Sequence, residues 1–335
     1  MERGLLDDLV CPYCNGHFRV ASEAESENDR LNYALVECRC FKFPIVDGVL
    51  LLSLAKGYGG AEEELQPYVP LQVASISFLE RGETQGLRAW IRQHIPLADA
   101  FLDGSTDSYL HFRSKMIREL ERAKNAYLSR QGRYGCIGTP GQPPVRKFPR
   151  NFCRIIQSLP NRPAHYEMET LADFYAGRFF APRTNVLAMQ LEWLPMRGRI
   201  LSLCCGHGVF ENLLAASGSS CKIVSIDGQF LNLLATRHYT NPGGNYICHD
   251  LQMPLPFRDQ YFDGVFSSTC LPEIPTQRSF VAESIRVTRD VGWTLFDSIW
   301  TSALGPRIDP LRYYRFAQNL FSRFSLYPIL FRKLA

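Results

Sequence analysis

A short apolar strand that runs into a glycine turn is the feature that most constrains how this chain folds. The segment reads Ile200-Leu-Ser-Leu-Cys-Cys-Gly-His-Gly208, and a predicted helix starts at Val209. Because glycine has no Cβ, the backbone amides of such a turn can approach a ligand closely. A second predicted strand, 222–226, ends in Asp227, 19 residues after Gly208. A carboxylate at that offset, at the tip of a second parallel strand, fits the two hydroxyls of a ribose.

The same turn indicates which kind of nucleoside is bound. A dinucleotide site needs a third glycine, so that the helix can lie against the pyrophosphate. Counting from Gly206 places Glu211 at that position. A carboxylate there would repel a pyrophosphate. The sequence therefore disfavours NAD and favours a nucleoside cofactor without phosphates.

Several further motifs follow in a fixed order. They are a predicted strand ending in an acid (Tyr246–Asp250), the run Leu255-Pro-Phe257, the Phe262-Asp263 pair, and a predicted helix (Thr276–Arg289) before a strand at 293–299. With the glycine turn, they resemble the class I S-adenosylmethionine (SAM)-dependent methyltransferases, most closely the branch that contains the quinone C-methyltransferases. The resemblance implies a Rossmann-like α/β sheet, SAM as cofactor and methyl transfer as the reaction.

The resemblance also implies roles for individual residues. Gly206 and Gly208 would line the methionine moiety, Asp227 would bind the ribose, and Gln229 would lie beside it. Asp250 and Leu251 would lie against the adenine, and Ser267 would face the methyl group. The complete implied set of cofactor-binding residues is Ser202, Cys204, Gly206, Gly208, Asp227, Gln229, Asp250, Leu251 and Ser267.

Three positions in and just before the glycine turn depart from the family pattern. Ser202 stands where the family usually has an acid that orients the ammonium group of the cofactor, and Cys204 replaces the first glycine. His207 occupies a position that is usually small. Glu211 is a candidate to supply the missing acid. These departures leave a degenerate, noncatalytic site as an alternative.

Four cysteines near the N-terminus form a second constellation. Cys11 and Cys14 make a C-x-x-C knuckle, a turn that lets two thiolates reach one tetrahedral zinc. Cys38 and Cys40 supply a C-x-C pair ahead of the run Pro44-Ile-Val-Asp-Gly-Val. Together they resemble the zinc-ribbon domain of the activator subunit shared by tRNA and release-factor methyltransferases. We expect a structural zinc on these four cysteines, with His17 as a substitute ligand and a metal-free ribbon as the alternative.

The sequence divides into three predicted regions. Residues 1–55 form the zinc-ribbon-like module, 56–190 a helical insert that suits a substrate cap, and 191–335 the SAM-binding domain. In the insert, apolar residues recur at helical spacing after Thr84. Beyond the last helix of the pattern, residues 324–332 offer one further strand.

The insert also carries most of the basic charge. Residues 111–165 contain twelve Lys or Arg and two Glu, a net charge of +10 in a chain whose total is +4. Residues 132–163 hold four Gly and six Pro, which predicts a long loop. The segment is either a solvated surface or a binding site for an anion.

The acceptor of the methyl group is open at this stage. One hypothesis is an anionic or aromatic small molecule, possible in specialised metabolism, with His165 and Tyr166 as candidate catalytic groups. A second is a base of rRNA or tRNA, since a basic segment suits phosphates. A third is a noncatalytic binding protein that keeps the fold.

Composition indicates the class of protein and its location, but not the reaction. The chain is 46% hydrophobic and 21% charged, so it can fold around a full core, and no apolar run approaches the length of a membrane span. The N-terminus lacks the pattern of a signal peptide. Apart from the N-terminal group, the cysteines are scattered, as in a reduced protein. We expect a soluble cytoplasmic protein without a membrane partner.

Overall fold

The computed structural model describes residues 1–52, 68–95, 194–297 and 329–332, with gaps at 207, 217, 218, 269, 272 and 273. Most of the predicted insert, including the whole basic segment, lies outside the described residues.

The N-terminal part is built from short antiparallel strands. A 3₁₀ turn (Arg3–Asp8) leads to four strands: β1 (Arg19–Glu27), β2 (Arg30–Glu37), β3 (Lys42–Val46) and β4 (Val49–Leu51). Two helices follow, α1 (Tyr68–Glu80) and α2 (Thr84–His94). The second confirms the helix predicted after Thr84. Leu87 and Ile91, one turn apart on it, are fully buried.

From residue 194 onward, strands and helices alternate as the sequence predicts. The elements are β5 (Arg199–Leu203), α3 (Val209–Ala216), β6 (Lys222–Asp227), α4 (Phe230–Ala235), β7 (Asn245–Cys248), β8 (Phe262–Ser268), α5 (Gln277–Val287) and β9 (Thr288–Asp297). A π-helical turn (Thr236–Thr240) continues α4. The last described strand, β10 (Ile329–Arg332), pairs antiparallel with β9, as expected for the predicted strand within 324–332.

The ten strands of the described residues belong to one sheet, in the order β1-β2-β3-β4-β7-β6-β5-β8-β9-β10. The strands from β4 to β9 in this order run parallel, and those outside them pair antiparallel. The chain proceeds outward from β5 to β6 and β7, and then returns to the other side of β5 for β8 and β9. The parallel part is therefore a Rossmann-like α/β sheet, which confirms the predicted fold class.

The N-terminal strands extend this sheet directly. β4 lies parallel to β7, with Val49 opposite Tyr246 and Leu51 opposite Cys248. All four of these side chains are fully buried. The helices α1 and α2 pack on the same strands together with α4, in one hydrophobic cluster. Residues 1–52 and 194–297 thus share a backbone ladder and a core.

Hydrogen bonds join two motifs recognised in the sequence, the run at 255–257 and the helix α5. Arg286 on α5 donates to the carbonyl oxygens of Phe257 (2.7 Å) and Leu255 (3.0 Å), and Glu283 accepts from the Leu255 amide (2.8 Å). The next carbonyl, that of Pro256, accepts from the amide of Val10, just before the first cysteine. The loop after β7 is thereby fixed on α5, and the cysteine knuckle docks on that loop.

None of the helices in the described part of the chain is long and apolar enough to cross a membrane.

Candidate functional site

The strand order creates a crevice beside β5. In an open parallel sheet, ligands bind beyond the carboxyl ends of the strands, where successive connections leave in opposite directions. That point lies between β5 and its neighbour β8, with β6 on the other side of β5. The loops that border it begin at Cys204, at Asp227 and after Ser268. Most of the predicted cofactor residues lie on these three loops.

The glycine turn after β5 is held by the acid that ends β6. The amide of Gly206 donates to Asp227 Oδ2 at 2.9 Å. Gly206 has a φ of +54°, which disfavours other residues, and a Cβ added there would meet nothing within 4 Å. The backbone at Gly206 therefore faces open space. This geometry fits a turn that a ligand approaches closely.

Gly208 is required for a different reason. Its φ is +74°, and an added Cβ would lie 2.2 Å from Thr240 Oγ1 and 2.5 Å from Thr236 Cγ2. The turn packs directly on the π-helical segment at this point, so the missing side chain serves internal packing. Contact between Gly208 and the cofactor stays a prediction.

The carboxylate of Asp227 is oriented by three N–H donors. Besides Gly206, the amide of Gln229 (2.8 Å) and the side chain of Asn232 (3.2 Å) donate to its Oδ1. Asp227 is 7% exposed, at the carboxyl end of β6. These three donors fix the carboxylate in one orientation beside the glycine turn. Gln229 touches Asp227 through its backbone, and its side chain is exposed.

A buried acid lies beneath the turn. Glu211, in the first turn of α3, accepts at Oε1 from Ser225 (2.7 Å) and also bonds the hydroxyl of Ser202. The two serines lie opposite each other on β5 and β6. Burial raises the pKa of the Glu211 carboxyl. Glu211 therefore lies against Ser202, and its role as a replacement for the missing acid stays a prediction.

The position of Ser202 bears on its predicted role. Its side chain is 1% exposed and is turned to Glu211. Glu211 Oε2 has no hydrogen-bond partner in the described structure. Sequence reasoning missed Ser225, although its place opposite Ser202 follows once the two strands are aligned in register.

The loop after β7 carries the predicted adenine residues. Asp250 is partly exposed, and its Oδ1 accepts from the amide of Gln252 at 2.9 Å. Leu251 is buried in the core cluster that includes Phe257. Between the strand and Asp250, His249 is fully buried beside the carbonyl of Pro254 (2.9 Å), and burial lowers its pKa to about 4. It is a neutral core histidine near neutral pH.

The end of β8 differs from expectation. Ser267 is 1% exposed, and its hydroxyl has no partner in the described structure. Three residues later, Cys270 forms a disulfide with Cys204, with a Cα–Cα distance of 6.0 Å. The sequence had predicted that cysteines outside the N-terminal group are unpaired thiols. For this pair that prediction is wrong, because the ends of β5 and β8 bring together residues 66 positions apart.

The four N-terminal cysteines converge as predicted. Their sulfur atoms all lie within 4.8 Å of one another, with Cys11–Cys40 at 3.6 Å, Cys14–Cys38 at 3.7 Å and Cys38–Cys40 at 3.3 Å. Zn–S bonds of about 2.3 Å in a tetrahedron place sulfurs about 3.8 Å apart, so the set fits zinc. The C-x-C pair is therefore compatible with the site. His17 is not part of this cluster.

The knuckle has a well-defined local structure. The amide of Cys11 donates to Gly16 (2.9 Å), and that of Asn15 to Cys11 (2.9 Å). Asn15, directly after Cys14, takes a φ of +53°, which lets the chain turn back after the second cysteine. A hydrogen bond from the Gly16 amide lowers the pKa of the Cys14 thiol to about 6, whereas burial raises the pKa of Cys11 and the neighbouring Cys38 raises that of Cys40.

The predicted catalytic residues cannot be placed. His165 and Tyr166 lie outside the described residues, as does His207 in the glycine turn.

Comparison with known proteins identifies one region. Residues 201–296 match the family described as "Methyltransferase domain". A search of curated proteins finds no match.

Solved structures with a similar arrangement are distant. A candidate methyltransferase from Bacillus halodurans is 24% identical, covers 40% of this chain and 57% of its own, and has a TM-score of 0.31. A candidate SAM-dependent methyltransferase from Methanococcus maripaludis is 15% identical (52% and 97% coverage, TM-score 0.40). A complex of the Haloferax volcanii Trm112 methyltransferase activator with a candidate methyltransferase is 19% identical (36% and 54%, TM-score 0.32). The chain spans little more than half of the first and third, and at these TM-scores none indicates a substrate.

Proposed function

We propose that residues 201–296, which match the family described as "Methyltransferase domain", form a SAM-dependent methyltransferase domain of the class I fold, and that the chain transfers the methyl group of SAM to a small-molecule acceptor. The observation that carries the proposal is the pairing of an open glycine turn with an oriented carboxylate at the strand ends. Such a pair suits the ribose of a nucleoside cofactor.

Each residue at the crevice has a separate task. Gly206 leaves room for the amino-acid part of the cofactor, and Asp227 accepts hydrogen bonds from the ribose hydroxyls. Asn232 and Gln229 hold the carboxylate in place through their N–H groups. When bound, SAM supplies an electrophilic methyl carbon. The chain then has to hold the acceptor about 3–3.5 Å from that carbon and exclude water.

We propose an anionic or aromatic small molecule as the acceptor. The basic segment at 111–165 would balance an anionic group, while the net charge of the whole chain, only +4, is small for a protein that grips an RNA backbone. His165 and Tyr166 are the proposed groups for proton removal, needed only if the acceptor atom carries a proton. A cytoplasmic location stays a prediction.

We also propose that the four N-terminal cysteines hold a structural zinc. Four thiolates complete a tetrahedral shell and leave no open position for a substrate. Their location supports this role, because the knuckle docks on the loop at 255–257 and joins the core there.

Calorimetric titration with SAM tests the proposed cofactor site. Asp227→Asn keeps the shape of the side chain but removes its charge and places an N–H group against that of Gly206. We expect it to weaken SAM binding by about tenfold or more, since a charged hydrogen bond contributes about 1.5–3 kcal/mol. The matched control is Asn232→Ala, which removes one donor to the carboxylate and should weaken binding only a few-fold, by about 1 kcal/mol or less. Wild-type protein that binds no SAM would contradict the proposal.

A thermal-unfolding experiment distinguishes a small-molecule acceptor from an RNA acceptor. Thermal unfolding in the presence of S-adenosylhomocysteine is compared across aromatic and anionic metabolites, because a ligand of the native state raises the melting temperature. The small-molecule proposal predicts a stabilising metabolite. Salt-sensitive binding of total RNA, with no metabolite effect, would favour an RNA acceptor instead.

A further inference from the structure

Two cysteines face each other across the mouth of the proposed cofactor crevice. Cys204 follows directly after the last residue of β5, and Cys270 lies two residues beyond the end of β8. These strands are parallel neighbours, with Leu203 opposite Ser267. The Cα atoms of the two cysteines are 6.0 Å apart, a usual separation for a disulfide.

The disulfide lies at the place in the sheet where a ligand is expected to bind. The crevice for a ligand opens between the loops that leave β5 and β8, because the strand order reverses there. Cys204 belongs to one of these loops and Cys270 to the other. A covalent link between them fastens the two walls of the crevice together at the carboxyl end of the sheet. A ligand that must lie across both strand ends then has less room to enter.

The conformation of Cys204 supports a role for its sulfur. Its φ is +52°, in the left-handed region. A residue with a Cβ costs about 1–2 kcal/mol there, whereas glycine adopts it freely. Glycine would therefore be more stable than cysteine at this position of the turn. Backbone strain of this kind at a binding site is a reason to look for a function of the strained residue.

The neighbouring cysteines are not arranged in the same way. Among the described residues, Cys205, Cys221 and Cys248 are unbridged thiols. Burial raises the pKa of each, which suppresses the reactive thiolate. Cys205 is the direct neighbour of Cys204 but contacts the carbonyl of Gly206. It therefore provides a matched control.

We propose that Cys204 and Cys270 are a reversible thiol–disulfide modification site, whose oxidised form restricts the β5–β8 side of the cofactor crevice and weakens cofactor binding, and whose reduced form restores that binding. The gating rests on the proposed SAM site. Oxidation removes two protons and two electrons from the two thiols. With a peroxide as oxidant, Cys204 first becomes a sulfenic acid and releases water, and the Cys270 thiol then displaces a second water to form the S–S bond. A dithiol reductant returns both thiols by exchange and is itself oxidised to a disulfide.

The first test is chemical and needs no cofactor. The full chain is reduced with dithiothreitol, treated with hydrogen peroxide, alkylated, digested and analysed by mass spectrometry. The proposal predicts a peptide pair linked through Cys204 and Cys270, which disappears after renewed reduction. Linkage of Cys204 to a different cysteine, or no linkage, overturns it.

The second test measures the gating. Reduced and oxidised samples are titrated calorimetrically with S-adenosylhomocysteine. Wild-type protein should bind about tenfold or more weakly when oxidised, while Cys270→Ser should bind equally in both states. Cys205→Ser, the control, should keep the difference between states. Equal affinity of the two wild-type samples overturns the gating, as does a Cys270→Ser variant that still responds to peroxide.

The two proposals fail in different ways. If reduced wild-type protein binds neither SAM nor S-adenosylhomocysteine, the proposed cofactor site is wrong and the gating falls with it. If the reduced protein binds but oxidation has no effect, only the modification site is wrong.

Discussion

The two halves of the sheet are stabilised in different ways. The parallel half, β5 to β9, has helices between its strands and the crevice at its carboxyl edge. The antiparallel half, β1 to β4, carries the four N-terminal cysteines, whose sulfur atoms all lie within 4.8 Å of one another. The parallel half places polar groups at its carboxyl edge, and the antiparallel half carries the four cysteines, whose knuckle docks on the loop at 255–257 of the parallel half.

The comparison shows why the N-terminal half is not an independent appendage. β4 is only three residues long, and it adds to β7 as the next parallel strand. A strand this short has little stability alone. We therefore expect the cysteine cluster, the antiparallel strands and the junction with β7 to support one another, and the edge of the sheet next to β7 to depend on all three.

Loss of the metal should have the largest effect on this comparison. Cys11→Ser, or exhaustive chelation, should abolish zinc binding and unfold the N-terminal strands, since zinc-finger peptides gain about 10–16 kcal/mol from the metal. We expect the loss to reach β7, seen as faster amide exchange at residues 245–248. Elemental analysis checks the zinc content, and Cys221→Ser serves as the control cysteine outside the cluster. Unchanged exchange at β7 after metal loss would mean that the two halves are independent.

A core substitution at the junction should have the next largest effect. Leu50 on β4 is fully buried. Leu50→Ala should lower the free energy of unfolding by about 2–5 kcal/mol, because it leaves a cavity between the two halves. Val73, 65% exposed on α1, provides a matched aliphatic control, and Val73→Ala should change stability by about 0.5 kcal/mol or less. Denaturant unfolding measures both. Similar stability losses for the two variants would contradict a shared core.

The buried acid beneath the glycine turn should give the smallest effect, visible as a dependence on pH. Because burial raises the folded-state pKa of Glu211, the folded chain holds this proton more tightly than the unfolded chain. The associated stability is present below the ordinary value of 4.5 and is lost as pH rises through the folded-state pKa. Glu211→Gln should remove that loss, so its stability relative to wild type should improve by about 1 kcal/mol per unit of raised pKa.

Denaturant midpoints of both proteins across the acidic to neutral range test this prediction. The lowered pKa of His249 makes stability rise with pH, but it does so equally in wild type and Glu211→Gln. The difference in stability between the two proteins therefore reports Glu211 alone. Parallel pH profiles would show that Glu211 is not a buried titrating group.

The features that could be predicted from the sequence are those encoded by residues close together in the chain. The strands and helices from Arg199 to Asp297 follow from buried strands that end in turns and acids, and the convergence of four cysteines follows from their spacing. The parallel pairing of β4 with β7 could not be predicted, because it joins three residues to a strand nearly 200 positions away. The Cys204–Cys270 pair and the Ser225–Glu211 bond were missed for the same reason, since each depends on how neighbouring strands align.

The most direct test of the central claim is a crystal structure of the reduced chain with S-adenosylhomocysteine. The account predicts the nucleoside across the ends of β5 and β6, with both ribose hydroxyls within hydrogen-bond distance of the Asp227 carboxylate. A crevice that stays empty at saturating ligand, or a ligand bound without contact to Asp227, would contradict it.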